Sequence, residues 1–448
     1  MDFWNKKNIQ EALGDCKLYN FPENWSASGF RIWHTPLGTN DVVILRSPGE
    51  TKGAVKQNII PYISQISAIM CTHHENFEDL NLPIIEIEDV TKALFNLGKY
   101  IRKNYKGTVI ALTGSAGKST TTRMIYDVVE EYGADANLNL ANTLIAICWN
   151  MTTFDLNKKY WVIESSIGYG YVAVPDIAVI TNLAAVHLKE GQTIEGMARG
   201  KSKIFVTMKP GSIAVLNKDM ACYEIFEEEA LAKQLRIVTY GKSENVDIKI
   251  IPENYELVIN NQVYQVSQKY LPEYLLYDIA AAVGVAIELN IPTEEAVKKL
   301  GNFKSLQGRG ETLNLNFEGK NITLVDEAFN ANPLSMSATI EAFGKNFSNN
   351  KVLFLGDMTE GGDKSQEYHM NLIDVIKNAK PSKVIFCGSE MQNLFDILKN
   401  NFDCYYFENV LKLLPKLSEF INDNDNIFVK SSHSTGLHKI VEKLKKVN

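Results

Sequence analysis

At 448 residues, with 45% hydrophobic and 22% charged side chains, the chain has the make-up of a globular protein with room for about two to four domains. A formal charge of −7 and the lack of a dense basic run exclude a general nucleic-acid binder, so no nucleic-acid partner is expected. Six cysteines without paired spacing, and an N-terminus with no long apolar run behind it, argue for reduced thiols in a cytoplasmic protein with no membrane span.

Residues 1–104 hold short strand candidates, Asp41 to Leu45 and Ser67 to Cys71, and close on a helix predicted from Val90 to Tyr105. Gly107-Thr108-Val109-Ile110-Ala111-Leu112 then has the apolar, β-branched pattern of a buried strand. It runs into Thr113-Gly114-Ser115-Ala116-Gly117-Lys118-Ser119-Thr120 and a helical pattern from Thr121 to Tyr132. Strand, glycine loop and helix in that order turn successive N–H groups and a helix N-terminus toward an anion. Gly114, Ser115, Ala116, Gly117, Lys118, Ser119 and Thr120 are therefore expected to cradle a nucleoside triphosphate. Lys118 would reach its terminal phosphates and the Ser119 hydroxyl would ligate Mg²⁺. The loop is a shortened variant, with Leu112 where a small residue is usual.

Residues 105–312 continue with buried-strand patterns at Trp161-Val162-Ile163, Ile177 to Thr181 and Ile213 to Leu216. Helical patterns separate them, which implies a parallel sheet covered on both faces. Val246 to Val266 turns to short alternating strands around Asn260-Asn261, an antiparallel excursion. Residues 313–448 begin a second α/β series with strands at Ile322 to Val325, Val352 to Leu355, Val384 to Cys387 and Ile427 to Val429, an open sheet of nucleotide-binding style. The fold class is α/β in three parts.

Several polar residues fall where such sheets bind ligands. Glu164, just past one middle strand, and His187, a few residues past Thr181-Asn182, belong to the carboxyl edge beside the glycine loop. They suit a second Mg²⁺, and equally a helix cap and a satisfied loop histidine. Lys201 lies on a helix-like segment and by spacing alone is a solvated charge. Gln307-Gly308-Arg309-Gly310-Glu311 offers an arginine between small neighbours, suited to bidentate phosphate binding or to a hinge. Val325 to Ser335 leaves a strand and enters a helix at Asn330-Ala331-Asn332-Pro333, and Leu355-Gly356-Asp357-Met358 is another strand exit.

Thr113 to Thr120, Glu164, Asn182 with His187, Arg309, Asp326 to Pro333 and Leu355 to Met358 stand in the order and spacing of the Mur ligases, and the chain resembles that family from about Ser67 to Ser432. The Asn-Ala-Asn-Pro and Leu-Gly-Asp-Met segments are similar to the branch that adds D-alanyl-D-alanine to UDP-N-acetylmuramoyl tripeptide.

The resemblance implies a three-domain Mur ligase architecture. It has a small N-terminal α/β domain for the carboxylate substrate, a central P-loop ATPase-like sheet, and a C-terminal Rossmann-like ligase domain. It also implies an ATP-dependent enzyme, a cytoplasmic monomer, that makes an acyl phosphate and passes the acyl group to an amine. In that scheme Lys118, Glu164, His187 and Lys201 are catalytic, and Ser119, Glu164, His187 and a carbamoylated Lys201 surround Mg²⁺. Asp278, Arg309, Asp326 and Asn330 contact the nucleotide.

The chain departs from the family pattern at Ser28-Gly29-Phe30-Arg31, at Asn137 to Thr143, at Asp278 and at Phe329. The first two lie on the carboxylate-substrate side. They leave open a second reading, a paralogue that uses a carboxylate outside peptidoglycan, and more remotely a non-catalytic nucleotide-binding scaffold.

Overall fold

The computed structural model describes residues 3–32, 38–139, 141–183, 193–267, 271–359 and 362–446. Its three main sheets follow one another along the chain. The first takes strands Phe30–Arg31, Asp41–Ile44, Ile66–Cys71 and Ile84–Glu86 in parallel, with Lys17–Tyr19 antiparallel on one edge.

The helix Val90–Asn104 follows that sheet. Asp89 caps it by accepting from the Lys92 N–H at 2.6 Å. Val90, Ala93, Leu94, Leu97, Gly98 and Ile101 repeat at helical spacing and are buried, so one face packs inward. Gly98 lets that face approach the helix Leu144–Met151, since a Cβ there would lie 2.7 Å from Cys148 Cβ. Trp4 adds a hydrogen bond from its indole to the Thr152 carbonyl at 2.9 Å. One apolar cluster thus runs from Trp4 and Phe30 to Ile147, Cys148 and Trp161, joining the first sheet to the second.

The second sheet has nine strands, and its core is parallel. Thr108–Thr113, the strand before the glycine loop, lies between Tyr160–Glu164 and Ile177–Ile180. Each of these reads as an unbroken apolar run because helices cover both faces. The expected antiparallel excursion is formed by Ile248–Ile251, Glu256–Ile259 and Gln262–Gln265, with left-handed Asn260 and Asn261 at the turn.

The third sheet has six strands. Lys320–Glu327, Asn426–Lys430, Lys351–Gly356, Lys383–Cys387 and Asp403–Phe407 are parallel neighbours, and Glu311–Phe317 is antiparallel on the edge. No helix among the described residues is long and apolar enough to cross a membrane, and all six cysteines are free.

Candidate active site

The carboxyl ends of the central strands and the start of the third sheet enclose a cavity of about 590 Å³. Its floor is the glycine loop followed by the helix Lys118–Val129. Gly117 has φ +77°, and a Cβ there would lie 2.3 Å from Asp278 Oδ1. At Gly114 a Cβ would lie 1.9 Å from the Thr181 hydroxyl. Glycine is needed at the first by backbone conformation and at both by crowding. Asn182 braces the loop from the next strand, its side-chain oxygen accepting from the N–H groups of Ser115 and Ala116 at 3.1 and 2.8 Å.

Glu164 ends its strand beside the loop and is buried. The Ser119 hydroxyl donates to its Oε2 at 2.6 Å, and the Asn142 amide donates to its Oε1 at 2.7 Å. Asn137 fixes the backbone beneath, accepting from the Glu164 N–H at 2.7 Å and donating to the Glu164 carbonyl at 2.9 Å. Both carboxylate oxygens are thereby aimed before any ligand arrives.

Lys118 and Lys201 converge on one acceptor. Their ammonium groups donate to the Gly114 carbonyl at 3.1 and 2.9 Å. Lys201 is only 7% exposed, so it is not the solvated charge that spacing alone suggests. Burial, and then the neighbouring Lys118 charge, pull its amine down to about 7.

Asp278 sits behind the loop, accepting from the Thr121 hydroxyl at 2.9 Å. Burial pushes its carboxyl up to about 7, against the Thr121 hydrogen bond and the Arg309 charge. Arg309 reaches the cavity from the junction between the second and third sheets, with its guanidinium 4.1 Å from the centre of the Phe329 ring. Burial lowers its pKa, while Glu164, Glu327 and Asp278 hold the charge in place. Arg309 therefore lies in the cavity wall.

Three expected residues stand differently from the rest. Gly114 contributes its carbonyl beneath the lysines and does not line the cavity. Asp326 also turns away from it, accepting from the N–H groups of Gly308 and Ala328 at 3.1 and 3.2 Å and pairing with Lys445 at 3.6 Å. Its neighbour Glu327 faces the cavity, where it meets Lys430 at 3.2 Å and the Tyr274 hydroxyl at 3.3 Å. His187 lies outside the described residues. Asn330 does line the cavity, and its carbonyl accepts from Lys430 at 3.1 Å.

Asn142, Glu327 and Lys430 were not among the site residues expected from sequence. Lys430 ends a buried strand in Val429-Lys430-Ser431-Ser432, and a lysine at that place is the one signal that could have marked it.

Residues 112–286 match the family model of the Mur ligase middle domain, and residues 308–433 match that of the Mur ligase glutamate ligase domain. The chain is 27% identical over 400 residues to the UDP-N-acetylmuramoyl-tripeptide–D-alanyl-D-alanine ligase of Buchnera aphidicola, with 85% of each covered. Its fold is similar to that of MurF from Acinetobacter baumannii, with a TM-score of 0.81 at 20% identity over 99% of both chains. It is also similar to MurF from Thermotoga maritima in complex with ADP, with a TM-score of 0.73 at 21% identity over 93% of this chain and 97% of that one.

Proposed function

Because the chain belongs to the Mur ligase family, we propose that it is an ATP-dependent carboxylate–amine ligase that adds D-alanyl-D-alanine to a UDP-N-acetylmuramoyl tripeptide in the cytoplasm. The observation that carries this reading is the Ser119–Glu164 pair on the floor of a cavity whose other wall is Arg309, Glu327 and Lys430. Phosphoryl transfer needs charge neutralisation and alignment more than covalent help, and these groups supply both.

In this reading the loop N–H groups and Lys118 hold the phosphates of ATP. The Ser119 hydroxyl and the Glu164 carboxylate present two oxygens 2.6 Å apart, a hard donor set that fits Mg²⁺. They would hold that ion, which would neutralise charge on the terminal phosphates. A carboxylate oxygen of the tripeptide attacks the γ-phosphorus and ADP leaves. The dipeptide amine then attacks the acyl carbon, loses a proton, and releases inorganic phosphate. Arg309, arriving from the domain junction, would steady the transferring group.

Lys201 fits a carbamate. Its free amine adds to carbon dioxide with loss of one proton, a reaction open only to the neutral form. An amine pulled down to about 7 is neutral in a large fraction of molecules near neutral pH. The change also replaces two cations crowded on the Gly114 carbonyl with an anion beside a cation. The test of the main reading is mass spectrometry after incubation with Mg-ATP, bicarbonate, UDP-N-acetylmuramoyl tripeptide and D-alanyl-D-alanine. A pentapeptide product with matching phosphate release is expected; intact ATP binding without product would favour a different carboxylate.

A further inference from the structure

Two loops hold Glu164 in place, and each exposes an aliphatic side chain. The first, after the strand Ala134–Ala136, contains Asn137, which pins the Glu164 backbone, and Asn142, which pins its carboxylate. The second is the exit from the Glu164 strand itself. The loops are tied together where the Ser166 N–H and hydroxyl both donate to the Asn142 carbonyl, at 2.8 and 3.0 Å. Leu138 on the first is 38% exposed and Ile167 on the second is 51% exposed.

Ile167 has φ +47°, a left-handed conformation that its β-branched side chain resists and that Asn or Gly adopts more readily. The backbone around it is held on several sides. The Ser165 N–H donates to the Leu112 carbonyl at 2.8 Å, and the Thr113 hydroxyl donates to the Ile167 carbonyl at 2.6 Å. Gly168 lies so close to the next helix that a Cβ there would be 2.3 Å from the Gly200 carbonyl, one residue before Lys201. The surroundings impose the conformation, yet the side chain at this position is half out in water beside the candidate reacting groups. Neither core packing nor local turn preference accounts for isoleucine here.

We propose that Ile167 and Leu138 form the apolar subsite for the carboxylate substrate, gripping an uncharged hydrocarbon stretch next to the carboxylate that is phosphorylated. This rests on the ligase reading and adds a property of the acyl donor: methylenes flank its reacting carboxyl group, and a charge placed there is rejected. Both side chains lose exposed apolar surface when such a substrate binds, which is the source of the selectivity.

The test uses the full-length protein with Ile167→Asn and, separately, Leu138→Ser. Asn is at ease at positive φ, so Ile167→Asn removes the apolar group without adding backbone strain. The expected result is a KM for the tripeptide raised about tenfold or more in each variant, with the KM for ATP unchanged. A tripeptide KM within about twofold of wild type in both variants overturns the proposal. Thermal melting is measured alongside, and Ile167→Asn is expected to melt at or above the wild-type temperature. A clear loss of stability would make Ile167 a packing residue and overturn the proposal whatever the substrate. Absence of turnover by the wild-type protein would instead count against the ligase reading, with the melting result still judging Ile167.

Discussion

Lys118 and Lys201 meet at one carbonyl, yet their chemistry differs. Lys118 opens the helix over the cavity floor, where a permanent cation suits phosphate. Replacing it with alanine should lower kcat for phosphate release by about 100-fold or more while leaving the melting temperature in place. Lys201, buried with its amine near 7, is suited to become a carbamate. Below that pH the amine is protonated and cannot add to carbon dioxide. Activity in bicarbonate buffer should therefore rise between about pH 6 and about pH 8, and Lys201→Gln should lose both activity and bicarbonate dependence. Asp278 gives a separate pH signature. Its carboxyl is raised in the folded state, so its contribution to stability is fully present below the ordinary carboxylate range and is lost as pH rises through about 7. Asp278→Asn should consequently hold its own against wild type at about pH 8 and fall behind toward about pH 4, as read by paired thermal melts.

At the scale of elements, much of the site could be read because its parts are contiguous. The strand Thr108–Thr113, the glycine loop and the helix Lys118–Val129 are one local unit, and the order of residue types alone implied a phosphate cradle. Glu164 could be read as a strand-end residue for the same reason. Asn142 and Lys430 could not, because only the crossovers of the second and third sheets bring them to the cavity. Asp326 and Glu327 show a finer limit. Successive strand residues point to opposite faces, so a shift of one place decides which carboxylate meets the cavity. The strand Asp403–Phe407 escaped notice because its partly exposed edge position gives it no continuous apolar run. The helix Pro333–Asn346 offers a test at this scale. Asn332 accepts from the Ser335 N–H at 2.8 Å, and the Ser335 hydroxyl takes the Asn332 N–H at 3.1 Å, closing a capping box at the cavity wall. Asn332→Ala should cost about 1 kcal/mol in a denaturant titration.

Across the whole molecule, the glycine loop, Ser119 and Glu164 belong to the second sheet's end, while Glu327, Asn330 and Lys430 belong to the third. Arg309 sits at the junction, 4.1 Å from a ring of the third part and among charges from both. The first sheet is joined to the second by a continuous apolar core, so it can present a substrate to a fixed Glu164. This division of labour predicts that the acyl oxygen of one substrate ends on the phosphate of the other. The most direct measurement is isotopic: tripeptide labelled with ¹⁸O in the reacting carboxyl group, incubated with Mg-ATP, bicarbonate and D-alanyl-D-alanine, with product and phosphate weighed by mass spectrometry. The account predicts a pentapeptide that has lost one label and an inorganic phosphate that has gained it. Unlabelled phosphate accompanying the pentapeptide, or phosphate released with no new peptide bond, would contradict it.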